Sequence, residues 1–467
     1  MIRRGSIVGA VALLAGCAIP ASPPAVAPIA PAALGLGVAA APAIGERWWT
    51  GFGDPQLDRL VADATAGNPT LDAALARVRQ AQALLSTRRA EDGPQVTLDA
   101  QGQVIRLPGR YIIPPPYGGS VRFVGQGLAN LSWTLDLFGR QRAAIEGARA
   151  SADAAALDVA AARLAIEGAV TQTYIDLARA EAQAALARRT IATRQESLRL
   201  VGVQRRNGLA SNLQTTAAET LVAQARGALV QAQGARAVAA DALAALAGRG
   251  TDYAATIGAT RVNFDAALPV PATVPADLLA RRPDIAAAQA RIAAAAAGRQ
   301  VARRAFYPNV NLAALAGVQA IGIGNLLAPD SLTGGGGPAI HLPLFDNGRL
   351  KADLAGATAA LDVATADYND KVVGAVRDAA DGIALSANLV ERRRQNAAVV
   401  RGFAETNRLN AVRVSSGLDS KLDLVDNDVR LLDAQIADVT IAADAARARV
   451  ALVLALGGGF SSQGVNQ

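Results

Sequence analysis

Apolar residues recur at alternating four- and three-residue steps near the end of the chain: Leu418, Leu422, Val425, Val429, Leu432, Ile436, Val439, Ala443, Ala446, Val450 and Val453. A stripe sustained that far predicts a long helix with coiled-coil packing. A small-residue counterpart, Leu221, Ala225, Ala228, Ala232, Ala235, Ala239, Ala242 and Leu246, predicts a second. No proline occurs between Pro116 and Pro269 or after Pro343, so nothing breaks the helical pattern through either stretch. A helix from Arg140 to about Arg206 would run roughly 100 Å at 1.5 Å per residue, more than any globular core needs. Asn207-Gly208 and Ser415-Ser416-Gly417 predict the turns at which the long helices reverse, because glycine supplies the positive φ that ends a helix.

Other segments change period. Val96, Leu98 and Ala100 alternate with Gln95, Thr97, Asp99 and Gln101, the mark of a strand with one apolar face. Strands are predicted at about 94–103, 122–136, 308–319 and 338–343. The first pair brackets Pro114 to Gly119 and the second brackets Gly334 to Gly337, both read as loops. Four strands cannot close a membrane barrel, which takes about eight, so the hairpins must be pooled between protomers.

The whole pattern occurs twice. Pro69 to Leu98 returns as Pro283 to Leu312; Leu135, Leu137, Phe138, Gly139 and Arg140 return as Leu342, Leu344, Phe345, Gly348 and Arg349. Gly208, Leu209, Ser211 and Leu213 return as Gly417, Leu418, Ser420 and Leu422. A period this long is a tandem duplication of a whole unit, since solenoid repeats span about 20 to 50 residues.

Composition narrows the class. The chain is half apolar, rich in alanine and poor in aromatics, which suits closely packed helices. Its net charge of +7 is spread along the chain with no basic patch interleaved with aromatics, so nucleic acid is not an expected partner. Residues 1–16 read as an export signal: charges at Arg3 and Arg4, an apolar stretch, then small residues. Leu14-Ala15-Gly16-Cys17 resembles the bacterial lipobox, in which the cysteine is acylated. Cys17 is the sole cysteine, so it cannot form an internal disulfide, and a covalent lipid there would hold the N-terminus to a membrane. In the lipoproteins this resembles, an aspartate after the cysteine favours inner-membrane retention, and Ala18 in that place implies the outer membrane. The Pro/Ala-rich run that follows predicts an extended tether. One histidine, His341, and one cysteine leave no triad or histidine metal cluster, so neither an enzyme nor a metal or other cofactor is expected.

Trp48-Trp49, Phe52, Asp54-Pro55, Leu57, Asn68-Pro69, Arg281-Arg282-Pro283-Asp284-Ile285, Phe306-Tyr307-Pro308, Pro343-Leu344-Phe345-Asp346 and Gly348-Arg349 resemble the signatures of outer-membrane efflux proteins, the TolC-like channels, over about residues 46–459. The lipobox points to their lipoprotein branch, in tripartite efflux systems of RND type. The resemblance implies a mainly α fold with a membrane β-barrel: a homotrimer with a twelve-stranded barrel in outer-membrane lipid and a twelve-helix periplasmic tunnel. It divides the chain into a signal (1–16), lipidated tether (17–45), first repeat (46–248), equatorial linker (249–275), second repeat (276–459) and tail (460–467). It implies a passive exit duct for small molecules such as drugs, fed by a periplasmic adaptor (membrane fusion) protein and an inner-membrane pump. An exit duct for type I protein secretion, or a non-conducting coiled-coil scaffold, are the alternatives.

One constellation stands out within that frame. Shifting the apolar stripe by one residue gives a polar one: Asp419, Asp423, Asp426, Arg430 and Asp433. Like charges at such spacing repel by a few tenths of a kcal/mol, so the stripe is expected to face water. In the resembling family the aspartates nine and six residues after the turn glycine narrow the closed tunnel end, which here are Asp426 and Asp423. Asp419, Arg430 and Asp433 would line the lumen. Three protomers would place six carboxylates about one axis, a ring that favours cations. The same resemblance assigns adaptor contacts to the turns at Gly208, Leu209, Ser211, Gly417, Leu418 and Ser420. A solvated helix face is the plain alternative for the stripe. The first half has Gln214 and Ala217 at the equivalent positions, so only the second hairpin is expected to gate.

Overall fold

The structure, a computed structural model, describes residues 22–36, 44–110, 112–266, 271, 273–275 and 279–460. The signal, Cys17 and most of the predicted tail lie outside these. Two compact units emerge: one holds residues up to Pro28, Arg77–Ala155 and Ala288–Tyr368, the other Ile29–Ala76, Ala156–Ala287 and residues from Asn369 on.

Along the chain run α1 (Pro55–Gly67), α2 (Pro69–Ala90), β1 (Gln95–Arg106), β2 (Val121–Leu135), α3 (Arg140–Arg206), α4 (Asn212–Leu246), α5 (Pro283–Arg304), β3 (Asn309–Ile321), β4 (Leu332–His341), α6 (Arg349–Ser415) and α7 (Lys421–Ala455). α3 and α6 each have 67 residues, and α4 and α7 each have 35, so the duplication extends to element lengths.

In the first unit the strands form one antiparallel sheet in the order β1-β2-β3-β4. Directly paired residues share a face. The register Leu98↔Ala129, Ala129↔Ala316 and Ala316↔Gly334 therefore sets a row on one face, and Val104↔Phe123, Leu131↔Ala314 and Leu135↔Val310 belong to the same face. That face is apolar across all four strands; the charge in register with it is Arg106, at its loop end. The opposite face carries Thr97, Asp99, Gln101, Gln126, Asn130 and Asn311, with the Asn130 amide donating to Asp99 at 2.8 Å.

The sheet corrects one expectation. Gly334 to Gly337 is not a loop but the middle of β4, paired with Ala316 to Ala313. Glycine has no side chain to alternate and its usual reading is a turn, yet here a bare backbone lies against β3: a Cβ on Gly336 would meet Ala313 O at 3.0 Å. The connection is 322–331 instead. The predicted tether is also not free over its described part. Arg299 of α5 donates to Ser22 O at 2.7 Å, and the Ala25 N–H donates to the Asp362 carboxylate of α6 at 2.9 Å, holding this irregular segment against both helices. His341 ends β4, exposed, on the polar face.

The second unit has its core where Trp48, Trp49, Phe52, Leu57, Leu60 and Val61 pack with Ile166, Val170, Tyr174 and Leu177 of α3, Leu243 of α4 and Val450 and Val453 of α7. Fully burying each such side chain contributes about 1.5–3 kcal/mol. The residues of the sequence signatures turn out to be helix ends. Asp54 caps α1 through Gln56 N–H at 3.0 Å, and its other oxygen accepts from Tyr174 Oη at 2.7 Å and Arg261 N–H at 2.6 Å. Burial and that carboxylate push the Tyr174 phenol well above the usual range. Asn68 donates to Leu246 O at 2.7 Å, closing α4, and Arg282 donates to Ala455 O at 3.2 Å, closing α7. Each closure needs a glycine at positive φ: a Cβ on Gly248 would sit 2.0 Å from Gly67 O, and one on Gly457 2.1 Å from Arg281 O.

Packing in α4 differs from the predicted stripe. Val222, Ala225, Ala232, Ala239 and Leu243 are buried, whereas Ala228 and Ala235 are exposed. With alanine on nearly every face, the pattern offered two registers and the larger Val222 and Leu243 decided between them. α7 keeps its predicted seam, with Val425, Val429, Leu432, Ala443, Ala446, Val450 and Val453 all buried. It is joined to α3 by polar contacts at intervals: Thr193 to Asp428 at 2.9 Å, Gln183 to Thr440 at 3.1 Å and Arg447 to Asp176 at 2.9 Å.

Candidate functional site

The two turns are built alike. After α3 the Leu209 N–H donates to Gln204 O at 2.8 Å and Gly208 N–H to Arg205 O at 3.0 Å; after α6 Leu418 N–H donates to Arg413 O at 2.8 Å and Gly417 N–H to Val414 O at 3.1 Å. This is a Schellman ending, which satisfies helix carbonyls that would otherwise be orphaned and requires a left-handed residue. Gly208 and Gly417 supply it at φ 73° and 72°. Ser211 and Ser420 then cap the next helices. Leu209 is 75% exposed and Leu418 67%, so each turn presents an uncovered leucine in the single chain.

The turns differ at the third helical position. Gln214 is long enough to reach back, accepting from the Ser211 N–H at 2.7 Å, and completes a capping box. Asp423 is one methylene shorter. Its backbone N–H donates to Ser420 Oγ at 3.1 Å, and its carboxylate accepts from that hydroxyl at 2.7 Å. The carboxylate thus sits in the first turn of α7, where the helix dipole favours negative charge.

Three residues on, the first half has Ala217 and the second Asp426. Asp426 is exposed, and Arg194 of α3 approaches it to 3.7 Å. Beside this pair, Lys421 meets Glu196 at 3.2 Å, and Glu196 also pairs with Arg199 at 2.6 Å. These hydrogen bonds, from Arg199 and then Lys421, lower the Glu196 pKa to about 2. Asp419 is held by Arg413 at 2.6 Å, a hydrogen bond that lowers its pKa. Arg430 and Asp433 are exposed on the same side of α7 as Asp423 and Asp426. The stripe is therefore water-facing in the single chain, with Asp419 and Asp426 neutralised locally and Asp423 capping.

Sequence periodicity missed Arg194, Glu196 and Lys421, because it reads one helix at a time and these pairs join α3 to α7. It also missed Asp428 and Asn427. Asp428 accepts from Thr193 at 2.9 Å and Asn407 at 3.2 Å, and the buried Asn427 donates to Phe403 O at 3.2 Å. Polar side chains interrupting the apolar seam next to the stripe were the available signal. Among the described residues no group of three or more His, Cys, Asp or Glu side chains could hold a metal ion, and no helix is long and apolar enough to cross a membrane.

A family model described as outer membrane efflux protein matches residues 60–249 and 274–458, one block in each half of the duplication. The toluene efflux pump outer membrane protein TtgC of Pseudomonas putida is 30% identical over 89% of this chain and 86% of its own length. The fusaric acid resistance protein FusA of Burkholderia cepacia is 35% identical over 67% of this chain, which spans 59% of that relative. The crystal structure of the outer membrane protein VceC of Vibrio cholerae superposes with a TM-score of 0.82 at 31% identity, covering 90% of this chain and all of that one.

Proposed function

The chain belongs to the outer membrane efflux protein family, and from that premise we propose that it is the exit duct of a tripartite efflux system, a channel and not an enzyme. The observation that carries this reading is the apolar face of the sheet. Four strands of 10 to 15 residues present uncharged side chains on that face except for Arg106 at its loop end, and membrane-spanning strands take about 9–11 residues. β1 and β4 are open edges. In hydrocarbon their unpaired backbone groups would cost several kcal/mol each, so the sheet has to close with other copies of itself. Three copies give twelve strands, above the minimum of about eight.

In this assembly the second-half turns gather at the periplasmic mouth, Asp423 and Asp426 form the narrow ring, and Asp419, Arg430 and Asp433 line the approach. A periplasmic adaptor grips the turns at Gly208, Leu209, Ser211, Gly417, Leu418 and Ser420, and an inner-membrane pump supplies the energy. Relatives named for toluene efflux and fusaric acid resistance favour small organic solutes as cargo. Cys17 carries the lipid that tethers each protomer to the outer membrane. Cysteines placed at Gln101 on β1 and Gly335 on β4, which share the polar face of the sheet, test closure: intermolecular cross-links that build a ladder ending at three protomers support the duct. A monomer without such links in a lipid bilayer contradicts it.

A further inference from the structure

Arginine stands at every junction between the sheet and its helices. Arg88 and Arg89 close α2, Arg140 and Arg142 open α3, Arg303 and Arg304 close α5, and Arg349 opens α6. The α3 start is gripped from two sides: Gln141 donates to Arg88 O at 2.8 Å, and Arg304 donates to Gly139 O. Ion pairs with Glu91, Asp136 and Asp353 occupy Arg88, Arg142 and Arg349. Among the described residues the side chains of Arg89, Arg140 and Arg303 have neither hydrogen bond nor ion pair, although all three are exposed beside others of the same sign. Arginines at the α2 and α5 C-termini complement the helix dipole, but Arg140, Arg142 and Arg349 stand at N-termini, where it opposes them. Helix stability does not account for them.

Arg88, Arg140 and Arg304 border one cavity of about 730 Å³. Its wall also holds Phe138 and Tyr307, stacked at 5.0 Å and both about two-fifths exposed, and Leu135, which is part of the apolar sheet face. Trp133 lies on that face at the same level, its indole N–H donating to Asp92 O at 3.0 Å, and Phe345 is 89% exposed at the fourth junction. Aromatic rings with one apolar and one wet side gather where a bilayer meets water.

We propose that this rim binds the headgroup phosphates of anionic phospholipids in the adjoining leaflet, with Arg140 at the cavity as the phosphate-binding residue and Arg89 and Arg303 adding positive charge around it. The arginine fork suits phosphate oxygens. The phosphate rests above the Phe138–Tyr307 stack while the acyl chains pass Leu135 onto the sheet face. That continuity selects a lipid over a free anion, for which an apolar exit from the cavity has no use. The proposal rests on the sheet lying in the membrane, as argued above.

The test uses the full-length protein in nanodiscs of three parts phosphatidylethanolamine to one part phosphatidylglycerol, re-extracted in mild detergent, with co-purifying lipid quantified by mass spectrometry. The ratio of phosphatidylglycerol to phosphatidylethanolamine should be about fivefold that of the mixture, the scale of one arginine near an anionic surface. In Arg89→Gln/Arg140→Gln/Arg303→Gln the ratio should fall to that of the mixture. These three side chains make no hydrogen bond or ion pair within the protein, and circular dichroism checks that the variant is folded. An Arg205→Gln/Arg206→Gln variant at the first turn should retain full enrichment. An unenriched wild type, or undiminished enrichment in the triple variant, overturns the proposal while leaving the duct intact. Enrichment abolished by an inorganic phosphate wash would assign the site to the free anion and overturn the lipid. A chain that does not enter the nanodisc at all would sink both readings.

Discussion

The first and second turns share a backbone and differ in charge. Both end a 67-residue helix with a left-handed glycine, both restart with a capping serine, and both raise a leucine into solvent. At the first, Gln214 closes the capping box and Ala217 follows. At the second, Asp423 and Asp426 take those places, and Arg194, reaching across from the first-half helix, lies 3.7 Å from Asp426. Duplication preserved what the hairpin needs in order to turn, and the copies diverged only where side chains leave the backbone. In the proposed duct, divergence of that kind would let one hairpin type serve as a fixed stave and the other as a moving one.

The largest perturbation should strike both turns alike. Gly208→Val and Gly417→Val each force a β-branched residue into the left-handed region, at about 1–2 kcal/mol. Amide hydrogen exchange in the last turn of α3 and of α6 should accelerate comparably in the two variants; protection lost at one turn only would show that the shared backbone is not under shared constraint.

Removing the caps should begin to separate them. Ser211→Ala and Ser420→Ala each cost about 1 kcal/mol of local helix stability, but the second also releases the Asp423 carboxylate from its hydroxyl. Fraying measured by hydrogen exchange should match between the variants, while single-channel noise should rise in Ser420→Ala alone.

A smaller effect belongs to Arg194→Ala. An ion pair this exposed is worth about 0–1 kcal/mol, so thermal stability should hardly move. The variant should nonetheless open more often, because Asp426 loses the link to α3. Unchanged open probability would reduce the pair to surface decoration.

Acid should have the least effect in the ordinary range. The Asp419 and Glu196 pKa values are lowered, Glu196 to about 2, by hydrogen bonds from Arg413 and from Arg199 with Lys421. Carboxylates shifted this way stabilise the folded form above their unfolded values of about 4 and lose that contribution as pH falls through the folded ones. Protection factors at the second turn, taken relative to the intrinsic pH-dependent exchange rate, should therefore be flat across neutral pH and fall only in strong acid, and a transition near neutrality would point to another titrating group.

Much of this was legible in the sequence because side chains with fixed periods report on their own element. The α7 seam, the aspartate stripe, the glycine turns and the β1 alternation are all local patterns. What was not legible depends on partners. The Gly334 to Gly337 run has no side chains to alternate, so its place in β4 rests on backbone pairing to β3. Arg194 and Glu196 acquire meaning only because α3 lies beside α7. The docking of Ala25 on Asp362 joins residues more than three hundred positions apart in a segment that by composition reads as free.

The most direct test of the account is single-channel conductance in planar bilayers, wild type against Asp423→Asn/Asp426→Asn, with Gln214→Ala as the first-turn control. A small, cation-selective wild-type conductance should rise several-fold and lose selectivity in the double variant and stay unchanged in the control. Equal conductance and selectivity in all three, from folded trimers, would contradict the assignment of the gate to the second turn.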